Sequence, residues 1–392
     1  MKLNKLTQVT AFGMALCGAA GYAASNDALL DLLVQKGVLS ETEATEVAKE
    51  IESNEGIEFS SKGKETVSVR FNGRIQAQYD GLSMEENGSD LPSTSHFYFR
   101  RLFFGAKAKL SNGIYAETVF DFAGDEAPEV AFDKAIVGYK FDDAFTGILG
   151  FQKVPFGFEE TSSSSKLPTI ERSAANRFFA DDIDFSSRHM GLHAEGELGG
   201  GFSYAAALVN SAQGEGSRLG GASNSSNELG YFARIQWAGE GLTVGADFGQ
   251  QKDNLVTGGD VKAYTGYVNY KLDGLDLLGE FFVGDLDQAE DVQGYALRAS
   301  YKFGKYEPVF RYSHVKADAF VIDTDELIRR APNGGTVSGT DNEIDSFYFG
   351  ANYYLSKATT LMLGYEIADA ENSDGSDKAE VDGLRARVQV LW

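Results

Sequence analysis

The chain has 392 residues, with 58 Asp and Glu against 35 Lys and Arg, a formal net charge of −23. That balance excludes nucleic acid as a default partner. The single cysteine, Cys17, allows neither a disulfide framework nor a cysteine-based metal site.

Residues 1–24 read as a secretory signal. Lys2 and Lys5 precede an apolar run from Val9 to Ala20, and small residues follow up to Ala24. Residues 25–64 read as a helical leader with a linker, expected in the periplasm. Leu29, Leu30, Leu32, Leu33 and Val34 line one short helix ended by Gly37. Ser40 and Glu43 form a capping box for a second, Glu41 to Ile51. Gly56 to Lys64 reads as the linker. No later run approaches the roughly 18 apolar residues a membrane helix needs.

From residue 65 onward the pattern changes to period-two alternation. Strands are expected at Val67–Tyr79, His96–Leu110, Gly113–Ala123, Ala131–Lys140 and Phe145–Lys153, then at Ser187–Leu198, Gly201–Val209, Glu228–Ala238 and Leu242–Gln250. Val261–Lys271, Leu275–Gly284, Val292–Phe303, Tyr306–Lys316, Ile344–Leu355 and Thr359–Ala368 follow, and Val381–Trp392 closes the set. Tight turns and long polar loops are expected to alternate strictly. About sixteen strands of roughly ten residues describe an all-β, transmembrane antiparallel barrel with long extracellular loops. At that size the lumen stays open to water. The longest loop, 154–186, carries Phe156, Phe158, Ile170, Phe178 and Phe179. So apolar a loop is expected to fold against the inner wall as a pore loop, presenting Glu159, Lys166, Arg172 and Arg177.

The last strand fixes its own faces. Leu384, Ala386, Val388, Val390 and Trp392 alternate with Arg385, Arg387 and Gln389. It resembles the C-terminal assembly signal of bacterial outer-membrane barrels, with Trp392 in place of the usual Phe. This implies the barrel assembly machinery as a partner, with membrane lipid and lipopolysaccharide around the wall.

On the first strand Val69, Phe71 and Ile75 are apolar, so Arg70 and Arg74 point into the lumen. On the second, Phe97 and Phe99 share a face, but so do Leu102, Phe104 and Ala106, and the parity slips between the two sets. A β-bulge at Arg100-Arg101 restores it and turns both arginines inward. The alternative, an arginine in lipid near the midplane, costs about 2–4 kcal/mol. Lys107 and Lys109 follow inward. With Arg385 and Arg387 these residues make one basic wall on three adjacent strands. Arg234, Lys262, Arg298 and Arg311 are expected to extend it. Glu117, Asp121, Glu195, Glu197, Glu280 and Glu366 are expected to face it as lumen carboxylates.

Three runs carry a family resemblance: FYFRRLFFGAKA at Phe97–Ala108, GFQKVPFGFEE at Gly150–Glu160 and LLDLLVQKGVLSETE at Leu29–Glu43. Together they resemble the phosphate-selective porin O/P family over essentially the whole mature chain. The resemblance implies a homotrimeric diffusion pore passing small anions, with basic residues in its lumen. The charges alone leave open a non-selective pore, or a non-conducting structural or adhesive barrel.

No catalytic set is evident. His189, His193 and Glu195 share a strand face, but residues four apart on a strand lie roughly 13 Å apart, too far for one metal ion. Ser162 to Ser165 read as turn residues. No cofactor and no metal are expected.

Overall fold

The computed structural model describes residues 57–60, 66–110, 112–123, 130–211, 228–287 and 291–392. The expected signal and helical leader lie outside the described residues. The chain divides into a unit Met1–Phe59 and a unit Ser60–Trp392. Within the expected linker, Ile57–Ser60 is a short strand.

Sixteen long strands among the described residues build the second unit. They are β1 (Thr66–Glu86), β2 (Thr94–Leu110), β3 (Ile114–Asp121), β4 (Ala131–Lys140), β5 (Thr146–Lys153), β6 (Arg188–Gly199), β7 (Phe202–Asn210) and β8 (Leu229–Gly239). There follow β9 (Leu242–Asn254), β10 (Gly259–Leu272), β11 (Leu275–Leu286), β12 (Asp291–Tyr301), β13 (Tyr306–Ala317), β14 (Asn342–Tyr354), β15 (Thr359–Glu371) and β16 (Lys378–Leu391). Each strand pairs antiparallel with its neighbours in sequence. The sheet closes where β1 pairs with β16, from Arg74↔Leu391 to Glu86↔Ala379. Closure removes both sheet edges, so every ladder group is satisfied inside the wall, as lipid requires.

The chain's last residue completes this seam. Trp392 accepts a hydrogen bond from the Gly73 amide at 2.9 Å and donates its own amide to the Gly73 carbonyl at 3.2 Å. A Cβ on Gly73 would lie 2.1 Å from the Trp392 ring, so only glycine lets the terminal indole lie flat on the first strand.

Two details differ from the sequence expectation. The first polar loop is largely ladder: β1 runs on to Glu86 and β2 begins at Thr94. The strict alternation of short and long connections also fails. The β9–β10 connection, expected to be long, is only Leu255 to Gly258, because the strands climb into the expected loop.

The expected bulge is present. Gln76 pairs with Arg101 and Ala77 with Phe99, leaving Arg100 as the extra residue. Phe97 and Phe99 are therefore exposed on the outside, with Phe97 84 % exposed, while Tyr98 and Arg101 point inward. The outer surface carries exposed large apolar residues on every strand but β3, among them Phe71, Leu149, Tyr231, Phe281 and Leu363. That band suits acyl chains.

The loop half of the barrel is not hollow. Val154, Phe156, Phe178, Phe179, Ile183 and Phe185 of the β5–β6 loop are all fully buried, clustered with Phe232 of β8 and Phe282 of β11. The Phe179 and Phe282 rings stack at 5.2 Å. Burying each such ring contributes about 1.5–3 kcal/mol, so an apolar loop finds its lowest free energy inside the barrel rather than in solvent. Ile170, further along the loop, packs on Val309, Tyr348 and Met362.

Candidate functional site

The inserted loop is held by charge as well as by aromatic packing. The Glu171 carboxylate accepts from Arg387 at 2.7 Å and Arg100 at 3.0 Å. Its main-chain oxygen accepts from Arg311 at 2.7 Å. Burial raises the Glu171 carboxyl, but Arg100, Arg387 and Arg101 outweigh it and hold it well below the usual carboxylate range. Glu366 accepts from Arg311 and Arg385, and Arg385 also lies 3.2 Å from Asp80. Glu280 accepts the Phe158 amide at 2.5 Å and the Glu159 amide at 3.3 Å, fixing the start of a short helix, Phe158–Thr161. Glu159 in turn caps Ser173, accepting from its amide at 2.8 Å and its hydroxyl at 2.7 Å.

Much of the expected basic wall is thus an anchor for the loop. Arg385, Arg387, Arg311 and Arg298 all point into the barrel yet are buried. Arg298 lies 3.4 Å from Asp276 and 3.7 Å from Glu159. Their charges are spent on carboxylates and do not line open water. The carboxylates Glu159, Glu280 and Glu366 are buried for the same reason. Arg172 lies 3.0 Å from Glu160, and Arg177 lies 2.9 Å from Asp181, so both are internal ties of the loop. Asp121 accepts the amides of Leu102 and Ala123, both at 3.0 Å.

Water reaches a different set. A niche of about 350 Å³ lies between the edge of the inserted loop, Thr161 to Ser164, and the wall of β4 to β8. Lys134, Lys153, Arg188 and Arg234 line it, facing Asp133 and Glu195. Arg188 is tied to Asp133, Lys153 lies 2.7 Å from Glu160, and Arg234 grips Asp247 at 2.6 Å and the Thr161 hydroxyl at 2.8 Å. Lys134 and Lys107 share Glu117, at 3.6 and 3.5 Å.

Two further cations make no ion pair with a carboxylate among the described residues. Arg74 donates to the Ser164 hydroxyl, at the edge of the niche, at 2.7 Å and lies 4.3 Å over the Phe103 ring. Arg101 is buried and donates to Gln76 at 2.9 Å. Arg70 and Lys109 are exposed, near the rim of short turns, and Lys166 is exposed on the inserted loop.

Two sequence expectations need correcting, and three site residues carried no expectation. Lys262 is exposed on the same face as Tyr264 and Val268 and so lies outside the barrel. Ser162 to Ser165 do more than turn the chain. Ser164 meets Arg74, and the Ser165 carbonyl accepts from Gln389 at 3.1 Å. Finally, Lys134, Lys153 and Arg188 belong with the site and were not singled out. They stand near the ends of strands whose faces the alternation leaves unassigned.

A closed sixteen-stranded barrel with an apolar outer band, an inserted loop and a charged, water-reaching niche is a bacterial outer-membrane porin. Residues 69–260 match the family model of phosphate-selective porin O and P. An uncharacterized protein of Aquifex aeolicus (strain VF5) is 24 % identical over 90 % of this chain and 91 % of its own length. Among solved structures, the anion-selective porin from Comamonas acidovorans is similar, with a TM-score of 0.58 at 15 % identity, covering 83 % of this chain and 100 % of the other. The outer membrane channel DcaP of Acinetobacter baumannii aligns with a TM-score of 0.57 at 14 % identity, over 85 % and 99 %. The trimer form of OmpT, an outer membrane protein of Vibrio cholerae, gives 0.54 at 14 %, over 83 % and 99 %.

Proposed function

We propose that this porin is a passive diffusion channel that prefers small anions. The observation that carries this reading is Arg74, a half-buried lumen cation that makes no ion pair with a carboxylate among the described residues and meets Ser164 at the edge of a niche lined by Lys134, Lys153, Arg188 and Arg234. Fixed cations at a constriction replace part of the hydration an anion loses there, and they repel cations. The family description and the anion-selective Comamonas neighbour support the reading. Asp133 and Glu195 across the niche give it a transverse field rather than a purely cationic ring.

The test is the reversal potential of single channels in a planar bilayer under a potassium chloride gradient, with and without phosphate. The wild type is expected to favour chloride. Arg74→Glu should shift the potential toward cation preference, because it removes a lumen cation and installs an anion in its place. A wild-type channel that prefers potassium would overturn the reading.

The same proposal includes a homotrimer, supported by the trimer form of the Vibrio OmpT neighbour. The mass of the detergent-extracted assembly, measured by light scattering with the detergent subtracted, should equal three chains. A mass of one chain would reject the homotrimer.

A further inference from the structure

The apolar cluster inside the barrel holds two inserted loops, 154–186 and, through Ile322, Leu327, Ile328 and Val337, the β13–β14 loop 318–341. A second set of inward apolar residues is not part of it. Phe103 of β2, Val119 of β3, Ile136 of β4 and Ile148 of β5 are buried on the lumen face, and none belongs to the clusters that pack the loops. The interior of such a barrel is ordinarily polar. The register sets two of the four beside cations. Arg74 of β1 stands directly opposite Phe103, and Lys134 of β4 directly opposite Val119. The Cβ atoms of directly opposed residues are only about 4.5–5.5 Å apart. A long basic side chain can then lie over its apolar neighbour and keep its head in water.

At Phe103 the contact is explicit. The Arg74 guanidinium carbon lies 4.3 Å from the centre of the ring, and Nη1 donates to the Ser164 hydroxyl at 2.7 Å. Phe103 is buried, whereas Arg74 is only half-buried. Two groups thus fix the guanidinium, one from β2 and one from the pore loop, and neither carries a charge. An aromatic face attracts a cation through its quadrupole and leaves the charge itself in place. Arg100, Arg311, Arg385 and Arg387 are held differently, since each meets a carboxylate.

We propose that Phe103 is a positioning residue for ion selectivity: its ring seats Arg74 at the edge of the niche and holds that charge in the ion path without cancelling it. This rests on the channel reading above and deepens it. Without the ring the guanidinium keeps only the Ser164 hydroxyl. Arginine is among the most rotamer-rich side chains, so its charge would then spread over several positions and act less on a passing ion.

The test changes the ring's charge distribution and keeps its shape. Phe103 is exchanged for mono-, di- and trifluorinated phenylalanine by stop-codon suppression, which drains the negative face of the ring stepwise while the packing stays intact. In single-channel recordings under a potassium chloride gradient, the chloride-over-potassium permeability ratio should fall with each added fluorine. It should fall furthest in Phe103→Leu, by roughly two- to five-fold, the worth of one exposed cation–π contact. Phe103→Tyr, which keeps the ring, should hold the wild-type ratio. In an Arg74→Gln background none of these exchanges should move the ratio. A ratio that ignores fluorination would overturn the inference, because a purely structural ring predicts that result. So would a ratio that falls equally in the Arg74→Gln background. If the wild type itself lacks chloride preference, the channel reading fails as to selectivity. A conductance that follows fluorination with Arg74 present, and not in Arg74→Gln, would then still establish the seat, and one that is flat in both would remove it.

Discussion

Glu171→Gln is expected to loosen the inserted loop and to lower the stability of the barrel by about 3–5 kcal/mol, the usual cost of leaving a buried ion pair without one partner. The carboxylate is a counter-charge shared by Arg100 and Arg387, and it also accepts from Gln78 at 3.3 Å. Glutamine has the same shape but cannot neutralise two guanidiniums, so the cost is electrostatic and not a packing defect. The measurement is the urea or heat midpoint of the detergent-solubilised protein, followed by the shift in gel mobility on unfolding. Single-channel current noise should rise in parallel, because the loop would sample undocked positions. An unchanged midpoint would mean that the aromatic cluster alone holds the loop. The pH dependence has a definite sign. A carboxyl held below its unfolded value stabilises at every pH above that value, about 4.3 for Glu, and is lost only as pH falls toward the folded value. Acidification to about pH 5 should therefore leave the loop docked.

The residues that made the fold legible are those whose two sides meet different solvents. On β16 the inside is Arg385, Arg387 and Gln389 and the outside is lipid, so alternation reads both faces directly. The same rule misplaced Lys262, for a physical reason. On β10 the inward residues Val261 and Ala263 are buried against the inserted loops, so that part of the interior is apolar too. Where a lumen is filled by a hydrophobic plug, apolar residues no longer mark the lipid side. The charged site was only half visible for a related cause. Sequence parity shows which way Arg311 and Arg385 point, but not that Glu171 and Glu366 will cover them. Loop 318–341 carried the signal that identified the first inserted loop, with Ile322, Leu327, Ile328 and Val337 in a segment expected to be polar. It passed unread because its apolar residues are aliphatic and dispersed, whereas those of 154–186 are paired phenylalanines.

The other large effect tests the bulge. Deleting Arg100 is expected to leave the barrel assembled, as Arg100→Ala does, with only the 3.0 Å contact to Glu171 lost. Gln76 already pairs with Arg101 and Ala77 with Phe99. Joining Phe99 to Arg101 therefore makes the ladder regular and leaves both residues on the faces they now hold. Deleting Ala386 from β16, whose pairing with β15 and β1 carries no bulge, is expected instead to abolish most assembly. There the strand on one side of the gap must turn over by half a period. If residues 378–385 turn, Arg385 faces lipid and Leu384 leaves it. If residues 387–391 turn, Arg387 faces lipid and Val388 and Val390 leave it. The arginine costs about 2–4 kcal/mol near the midplane, and each apolar side chain loses about 1.5–3 kcal/mol of transfer. The assay is the fraction of folded, heat-modifiable protein recovered from outer membranes, with Arg100→Ala as the reference. Recovery of the Arg100 deletion far below that reference would show that the ladder needs the extra residue, and full recovery of the Ala386 deletion would show that register is not fixed by which face meets lipid.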